Sequence, residues 1–400
     1  RTLGEVMQAT KNTLSSVYKL GFCLIGDPAV KMAYPEFGMK VTTVNGQSVD
    51  GNSISFKALE KITVEGEVLD ASGQLVTDFT GIVNPTVKDS KVTVTCLKNS
   101  NKDDSPAFTF TDYPNTIFIG NDSVRNGKFS FTFTVPKDIS YSNLQGKMNL
   151  YAVDTESGNE AQGNFDNFIV GGTSDTAETD TIGPEIRALY LNDTTFVDGG
   201  QVNTTPYFVA ELWDKSGVNI TGSSVGHDMM LVIDESTVLS YNLNSYYELL
   251  LGEDGTGIVK FPIPALEPGK HTAEFWVWDI LNNSTVRTFT FEVVEGLKPF
   301  LFDVIATPGI AREQVTFHLM HNRPESRMRV GIMVYDLAGR QLWKHEESGT
   351  SGLFENYTVS WDLTSGGARM RPGVYIYRAA ISTDNSKDAT KARKFIILGE

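Results

Sequence analysis

Cysteine is scarce in this 400-residue chain, which contains only Cys23 and Cys96. These two residues fall in segments that we assign to different domains, so no disulfide is expected, and two cysteines neither show nor exclude an exported protein. Long apolar runs are missing as well, since none approaches the roughly 20 residues of a membrane-spanning helix. The first residues lack the pattern of a signal peptide and there is no initiator Met, so we interpret the sequence as a piece of a longer protein.

Basic residues are in the minority. The chain has 34 Lys and Arg against 49 Asp and Glu, a net charge of −15, which argues against a nucleic-acid partner because phosphate binding needs clustered cations. The charge is uneven, however. Residues 297–400 carry 14 Lys and Arg against 11 Asp and Glu, a net charge of +3, and the remainder carries −18. This difference predicts that the last module meets a different partner from the rest.

Glycine and aromatic residues are plentiful, with 36 glycines and 10% Phe, Trp and Tyr. Together with many Val and Thr residues, this composition favours strands and turns over helices. A chain of this length also exceeds the size of one typical domain. We therefore predict a mainly β chain of several domains.

The first segment differs from the rest because its apolar residues have helical spacing from Leu3 to Tyr18. Thr2 and Glu5 form a candidate capping box, and Gly21 is a candidate stop. The run Phe22–Ile25 then predicts a fully buried strand, as at the end of an α/β sheet. Because no His precedes His227, we interpret Cys23 as a buried structural thiol rather than a nucleophile.

Two sandwich-like modules are predicted next, at residues 36–170 and 185–296, separated by a linker at 171–184 of very low apolar content. Strands are indicated by period-two alternation, as in Phe129, Phe131 and Phe133. Tyr151–Asp154 and Trp276–Asp279 form a weak internal repeat. The first segment is followed by a turn with Gly and Asn, and the second by a turn with Asn alone.

No metal or other cofactor is predicted. The acidic turn residues lack the spacing of a calcium loop, and we interpret them as solvated carboxylates. The histidines have no partners at ligand spacing. The residues concerned are Asp154, Glu156, Asp166, Asp214, Asp279, His227, His271, His318 and His321.

The last module, residues 297–400, shows about seven alternating strands and is predicted to be a further Ig-like sandwich. Its turn and strand motifs are the most distinctive part of the chain. They are Thr307-Pro308, Tyr335-Asp336-Leu337-Ala338-Gly339-Arg340, Trp361-Asp362-Leu363, Pro372-Gly373-Val374-Tyr375-Ile376-Tyr377 and Lys394 before the final apolar strand.

These motifs resemble those of the C-terminal targeting domain of type IX secretion. Residues 1–35 resemble the closing helix and strand of the caspase-like domain of the gingipain-type cysteine peptidase family, which includes the sortase of type IX secretion. This resemblance implies tandem Ig-like β-sandwiches that follow the terminal helix and strand of an α/β caspase-like domain. No position matches the family's catalytic Cys or His motif, so no catalytic residue is assigned in this segment.

The resemblance also implies a function and partners. The parent protein would be a cysteine endopeptidase and transpeptidase that cleaves C-terminal signals of cargo and helps attach cargo to the surface. It would lie on the outer membrane of a Bacteroidota-type bacterium. Residues 297–400 would dock on an outer-membrane β-barrel shuttle of the PorV type, and other attachment-complex proteins and cargo proteins are further partners.

The candidate docking residues are Tyr375, Tyr377 and Lys394, and the motif residues are Asp336, Gly339 and Gly373. We expect Val374 and Ile376 to fill the core, which would leave the two tyrosines on an outer face as interface anchors; the alternative is that they merely cover the sandwich edge. Two other functions stay open: a cargo protease whose C-terminal domain is removed on export, and a non-enzymatic Ig-like adhesin.

Overall fold

A computed structural model describes residues 1–30, 34–98, 106–175, 180–221, 226–250, 255–383 and 385–398. The chain forms two compact units. One comprises Arg1–Val135 and Ile139–Thr176, and the other Pro136–Asp138 and Ala177–Glu400. Among the described residues, no helix has both the length and the apolar character needed to cross a bilayer.

The chain begins with one α-helix, α1 (Leu3–Thr13), followed by a 3-10 helix at Val17–Gly21. The predicted capping box is present: the Glu5 backbone N–H donates to Thr2 Oγ1 at 3.3 Å, and the Thr2 N–H donates to Glu5 Oε2 at 2.9 Å. The predicted strand Phe22–Ile25 is wrong. None of the described strands pairs with it, so Phe22 and Ile25 lie exposed, Ile25 to 98%, and Leu24 is only half-buried.

The first β domain lies in the first unit and has fourteen strands among the described residues. They are β1 Phe37–Val44, β2 Gln47–Ser48, β3 Ile54–Ala58, β4 Lys61–Leu69, β5 Gly81–Lys88, β6 Val92–Thr95, β7 Thr109–Asp112, β8 Thr116–Ile119, β9 Asp122–Arg125, β10 Lys128–Thr134, β11 Leu144–Gln145, β12 Lys147–Asp154, β13 Glu160–Phe165 and β14 Phe168–Thr173. The main sheet runs β12-β13-β1-β4-β10-β9-β5, and β5 pairs again with β12. The sheet therefore closes on itself, an arrangement that the sandwich interpretation did not include.

The alternation predicted from sequence explains this core. In β10, Phe129, Phe131 and Phe133 all point inward and are at most 5% exposed. The phenyl ring of Phe129 occupies the space beside Gly66 of β4, where an added Cβ would lie 2.2 Å from the ring. A glycine at this strand position therefore allows the close approach of the aromatic ring.

A second domain follows, and the nine strands that its described residues form make up two sheets. The strands are β15 Glu185–Leu191, β16 Gly200–Val202, β17 Tyr207–Trp213, β18 Met230–Ile233, β19 Ser240–Asn242, β20 Tyr247–Leu249, β21 Thr256–Pro262, β22 Gly269–Trp278 and β23 Ser284–Val293, with a 3-10 helix at Asn244–Tyr246. One sheet has the order β15-β17-β21-β20 and the other β16-β23-β22-β18-β19. Two sheets with buried inner faces make this domain a sandwich.

The third domain is also built from two main sheets. Its strands are β24 Leu301–Thr307, β25 Ile310–Ala311, β26 Val315–His321, β27 Met328–Tyr335, β28 Gln341–Gly349, β29 Tyr357–Trp361, β30 Thr364–Ser365, β31 Ala368–Arg369, β32 Gly373–Ser382 and β33 Ala389–Ile397. The sheets have the orders β24-β26-β29 and β25-β33-β32-β27-β28, and β30 pairs with β31. The mainly β fold expected from the sequence is thus confirmed.

The predicted linker at 171–184 starts too early, because β14 continues to Thr173. Residues 176–179 of that linker lie outside the described residues. Arg323 stabilises the segment that connects the second domain to the third, and this residue is only 1% exposed. Its guanidinium donates to the carbonyl oxygens of Leu297 (3.2 Å), Lys298 (3.4 Å) and Asn322 (3.0 Å), which satisfies buried backbone acceptors.

Candidate functional site

The two tyrosines predicted to anchor a partner point into the third domain. Tyr375 is 7% exposed and Tyr377 is 1% exposed, whereas Val374 is 41% exposed. The Tyr377 hydroxyl donates to the Val304 carbonyl oxygen at 3.0 Å, and the Tyr375 hydroxyl donates to the Arg371 carbonyl oxygen at 2.7 Å. The predicted orientation of β32 is therefore wrong, and the tyrosines are core residues with satisfied hydroxyl groups.

The register between β32 and β33 gives the physical reason. Tyr375 lies opposite Phe395, and Ile376 lies opposite Lys394. Residues directly opposite each other share a face, so the face that buries Phe395 must also bury Tyr375. Phe395 is 1% exposed and its ring lies 6.0 Å from that of Tyr375 and 5.8 Å from that of Tyr377. In β32 every residue from Val374 to Tyr377 is apolar, so the pattern within that strand did not decide its inner face.

The outward-facing side of β32 and β33 carries other residues than the predicted tyrosines. These residues can still contact a partner. Lys394 and Arg378 are exposed, and Val374, Ile376 and Ile396 lie on the same side. We call these five residues the basic–apolar face. Aliphatic side chains that stay at least partly exposed beside cations are typical of a protein contact surface. Sequence reasoning missed Arg378; the available signal was its charge two residues after Ile376, which places both residues on one face of the strand.

The predicted motif residues Asp336 and Gly339 form the turn between β27 and β28. Asp336 Oδ1 accepts the backbone N–H groups of Ala338 (3.0 Å) and Arg340 (2.9 Å), which together with the nearby Arg340 guanidinium hold the pKa of Asp336 below its usual value. Gly339 has φ of +83°, a conformation that favours glycine. Gly373 begins β32 beside the Tyr375 ring. These residues shape turns and strand ends.

A second cluster of polar groups lies in the second domain, where three carboxylates converge. Asp180 precedes β15, Asp214 follows β17 and Asp279 follows β22, and oxygens of the three lie within 4.8 Å of one another. Asp214 is 5% exposed and Asp279 is fully buried. The prediction that Asp214 and Asp279 are solvated turn carboxylates is therefore wrong, because three loops distant in sequence fold together around them.

Hydrogen bonds partly compensate for this burial. Asp214 Oδ1 accepts from the N–H groups of Ser216 (2.8 Å) and Gly217 (3.0 Å). Asp279 Oδ1 accepts from the Asn283 N–H at 2.6 Å, and its Oδ2 accepts from Asn283 Nδ2 at 2.7 Å. Burial nevertheless raises the pKa of Asp214 to about 6 and also raises that of Asp279. The cluster thus holds negative charge at a cost to folding at neutral pH.

The repeat predicted from sequence allows a direct comparison. Asp154 is the last residue of β12 and Asp279 directly follows β22, so each lies where a hairpin turns, β12–β13 and β22–β23. Asp154 accepts backbone N–H groups from Ser157, Thr80 and Glu156 at 2.8–3.0 Å, and these bonds lower its pKa to about 2. The same position in the repeat therefore carries opposite pKa shifts, because donors dominate at Asp154 and burial dominates at Asp279.

The carboxylate oxygens of this cluster are of the hard type that Ca²⁺ or Mg²⁺ accepts. Ca²⁺ takes six to eight oxygens, however, and the described residues place three carboxylates here. Most of their oxygens already accept hydrogen bonds from the protein. The cluster by itself is therefore an incomplete coordination shell.

The histidines and cysteines do not build a reaction centre in the described residues. His321 is half-buried next to Arg323; partial burial lowers its pKa to about 4, and its Nε2 lies 2.9 Å from Ser351 Oγ. Cys23 and Cys96 are free and exposed, so the prediction that Cys23 is buried is wrong. Residues 22–25 form no strand in the structure, and this explains why Cys23 is exposed.

Comparisons with known proteins place these features in context. No family model matches the chain, and no curated protein matches it. The chain is 37% identical, over its entire length, to part of the protein in a crystal structure of dimeric latent PorU from Porphyromonas gingivalis. The TM-score is 0.42, and the chain spans 38% of the length of that PorU chain. The chain is therefore similar in sequence to a region of PorU.

Other solved structures are much less similar. A tetra-tandem repeat of a large adhesion protein is 14% identical, with 91% of this chain and 74% of that chain covered and a TM-score of 0.19. The N-terminal Ig1-2 module of the Drosophila receptor protein tyrosine phosphatase DLAR is 9% identical, with 55% and 100% covered and a TM-score of 0.22. Neither supports a conclusion about function.

Proposed function

We propose that this chain is the non-catalytic spacer and docking region of a PorU-like cell-surface cysteine endopeptidase of type IX secretion. The observation that supports this proposal is the 37% identity to PorU over the entire chain. In this proposal the parent protein acts on the C-terminal signals of cargo and helps attach cargo to the surface. Its catalytic residues lie outside this chain, and the chain is attached to the outer membrane of a Bacteroidota-type bacterium.

The spacer role would fall to the first and second domains. Both have extensive buried cores and a net acidic character, and neither brings catalytic side chains together among the described residues. Folded β domains add length between the parts of a chain that lie on either side of them. The two domains would thus separate the peptidase part from the anchor.

The docking role would fall to residues 297–400, with an outer-membrane β-barrel of the PorV type as the partner. This domain carries a net charge of +3 against −18 for the rest of the chain. The basic–apolar face places Arg378 and Lys394 beside the exposed Val374 and the half-buried Ile376 and Ile396. Opposite charges across an interface mainly increase the association rate and the specificity, so we expect this face to meet an acidic surface of the barrel.

Reversing the two cations should weaken docking. We expect the double variant Arg378→Glu/Lys394→Glu to be captured by a purified PorV-type barrel in detergent at least tenfold less tightly than the wild-type chain. The physical reason is that two attractive contacts become repulsive while the core stays intact, because both side chains are exposed. Affinity is measured by surface capture at several salt concentrations.

The matched control is Lys40→Glu/Lys128→Glu, which changes the net charge equally on exposed positions of the first domain. Its affinity should stay close to that of the wild type. Equal loss in both double variants would mean that only overall charge matters, and equal affinity of the docking variant and the wild type would refute this face. A wild-type chain that the barrel does not capture at all would refute the docking role itself.

A further inference from the structure

A cavity of about 210 Å³ lies between the second and third domains, inside the second compact unit. Its walls come from the loop after β15, from β24 and β26, and from the loop between β28 and β29. Pockets for drug-sized ligands measure roughly 300–1,000 Å³, so this cavity suits a group the size of one side chain. The basic–apolar face belongs to the other sheet of the third domain, so the cavity is separate from the proposed docking surface.

Aromatic and aliphatic groups form part of the cavity wall. They are Tyr190, Phe302, Met320, Leu353 and Phe354. Phe354 is 69% exposed and has φ of +66°, a backbone conformation that a bulky residue rarely adopts. The Glu355 N–H donates to the Gly352 carbonyl oxygen at 3.1 Å, and this turn holds Phe354 at the cavity. Strained backbone positions of this kind concentrate at ligand sites.

Two carboxylates line the same cavity, and each keeps one oxygen available. Asp193 Oδ1 accepts from the Thr195 N–H at 2.8 Å and also from the Thr195 hydroxyl, and Glu355 Oε2 accepts from the Gly352 N–H at 3.1 Å. Among the described residues, no protein group hydrogen-bonds to Asp193 Oδ2 or Glu355 Oε1. Each of these two oxygens can accept a hydrogen bond from a bound cation.

Tyr190 adds a third polar group to the cavity. It is only 5% exposed, and in the part of the chain that the structure describes its hydroxyl has no hydrogen-bond partner. Burial, followed by the carboxylates of Glu211 and Asp193, raises the pKa of this hydroxyl to about 12, so it stays protonated at neutral pH. A buried hydroxyl without a partner costs free energy, and a polar ligand in the cavity removes this cost.

The charge of the cavity wall selects the ligand. The described lining residues include no Lys or Arg. His321 also lines the cavity, but the Arg323 N–H donates to its Nδ1 at 3.1 Å, and its pKa of about 4 keeps it neutral at pH 7. The two carboxylates therefore repel anions. An apolar ligand would leave both carboxylate oxygens and the Tyr190 hydroxyl unpaired, which is costly.

We propose that this cavity binds the side chain of a lysine from a peptide or protein partner. The lysine ammonium carries three donors, which match the two available carboxylate oxygens and the Tyr190 hydroxyl. Its four-carbon chain packs against Phe302, Met320 and Phe354, and aromatic rings also attract ammonium ions. Lysine fits better than arginine because each carboxylate offers a single oxygen, whereas a guanidinium is bound best by paired oxygens.

NMR of the full chain with isotope-labelled methionine methyl groups tests this site, since Met320 is part of the cavity wall. The probe is the peptide acetyl-Gly-Lys-Gly-amide, and the Met320 signal is identified from its loss in Met320→Leu. We expect a saturable shift of this signal with a Kd on the order of 1 mM. A peptide with norleucine in place of lysine has a similar carbon chain without the charge and should cause no shift at the same concentration.

Removing one ligand-binding group at a time should weaken this binding. We expect Asp193→Asn, Glu355→Gln and Phe354→Ala each to raise the Kd roughly fivefold or more. The two amide variants keep an oxygen for the local turn and replace the available oxygen with a neutral NH2 group. The matched controls are Glu313→Gln and Phe108→Ala, which change an exposed carboxylate and an exposed ring away from the cavity and should leave the Kd unchanged.

Unchanged signals of the other methionine methyl groups show that the variants fold. A wild-type chain without a Met320 shift at about 10 mM peptide would overturn the proposal. Equal binding of the norleucine peptide would also overturn it, because the cavity would then be an apolar site, and so would tighter binding of acetyl-Gly-Arg-Gly-amide. Cavity variants that all bind as well as the wild type would refute this location. None of these results requires capture by a barrel, so the proposed docking role can fail independently.

Discussion

Replacing Tyr377 with Ala is expected to lower the free energy of unfolding of the third domain by about 3–5 kcal/mol, the range found for large buried aromatic residues. The side chain is 1% exposed, and its ring lies 4.9 Å from that of Phe317 and 5.8 Å from that of Phe395. The substitution leaves a cavity between the two sheets and also removes the donor to the Val304 carbonyl oxygen. Amide hydrogen exchange of peptides from residues 297–400 in the full chain measures the loss.

Two controls separate the causes of this effect. Tyr377→Phe keeps the ring and removes only the hydroxyl, so we expect a loss of about 1 kcal/mol. Val374→Ala shortens an exposed side chain of the same strand and should cost less than about 1 kcal/mol. If Tyr377→Ala cost no more than Val374→Ala, the inward orientation of the tyrosines would be contradicted. If variants of Tyr375 or Tyr377 lose binding to a partner, the cause is therefore unfolding of the third domain and not the loss of a direct contact.

Elements with an alternating pattern were predictable from sequence. In β10 the polar residues between Phe129, Phe131 and Phe133 decide which face is buried, and the structure confirms the predicted face. The capping box of α1 was predictable for a similar reason, since Thr2 and Glu5 are three residues apart and interact locally. Such signals need no knowledge of the tertiary structure.

Other features depend on partners distant in sequence. Closure of the first sheet rests on β5 pairing with β12, about sixty residues further along the chain, and no local pattern specifies that pairing. The inner face of β32 was mispredicted because Val374–Tyr377 is apolar throughout, so the register with β33 decides it. Phe22–Ile25 has the composition of a buried strand, but burial requires neighbouring strands.

The carboxylate cluster was unpredictable for the same reason. Asp180, Asp214 and Asp279 come from three separate loops, and each sits in a local sequence typical of a solvated turn. Their proximity follows from the packing of the second domain. Burial is thus a tertiary property here, and so is the pKa that results from it.

Replacing Asp214 with Asn is expected to stabilise the second domain at pH 7.5 by about 1–3 kcal/mol, since a tenfold change in a protonation constant corresponds to about 1.4 kcal/mol. The pKa of Asp214 is about 6 in the folded chain, against a usual value of 3.8. Because the folded pKa is the higher one, the folded state holds a proton that the unfolded state releases between these two values. Stability from this group is therefore present below about pH 4 and lost as pH rises through 6.

Asn keeps the Oδ1 that accepts from Ser216 and Gly217, and it replaces the second carboxylate oxygen and the charge with a neutral NH2 group. The two proteins should therefore be closest in stability below about pH 4, diverge between about pH 4 and pH 6, and differ by a constant amount above that. Hydrogen exchange of peptides covering β17 and β22, recorded in EDTA to remove divalent cations, follows the difference. A variant that is less stable than the wild type at pH 7.5 would contradict the assigned cost of the buried charge.

Asp154→Asn is the matched control, because Asp154 holds the corresponding position of the repeat with the opposite shift. Three backbone N–H donors lower its pKa to about 2, so its charged form is favoured by folding. Stability from Asp154 is present above the usual value of 3.8 and lost as pH falls towards 2. Its Asn variant should accordingly be less stable than the wild type at pH 7.5, and the gap should narrow in acid. We expect Asp154→Asn to lower stability at pH 7.5 and Asp214→Asn to raise it. This result would show that local hydrogen-bond donors and burial decide whether a carboxylate stabilises or destabilises its domain.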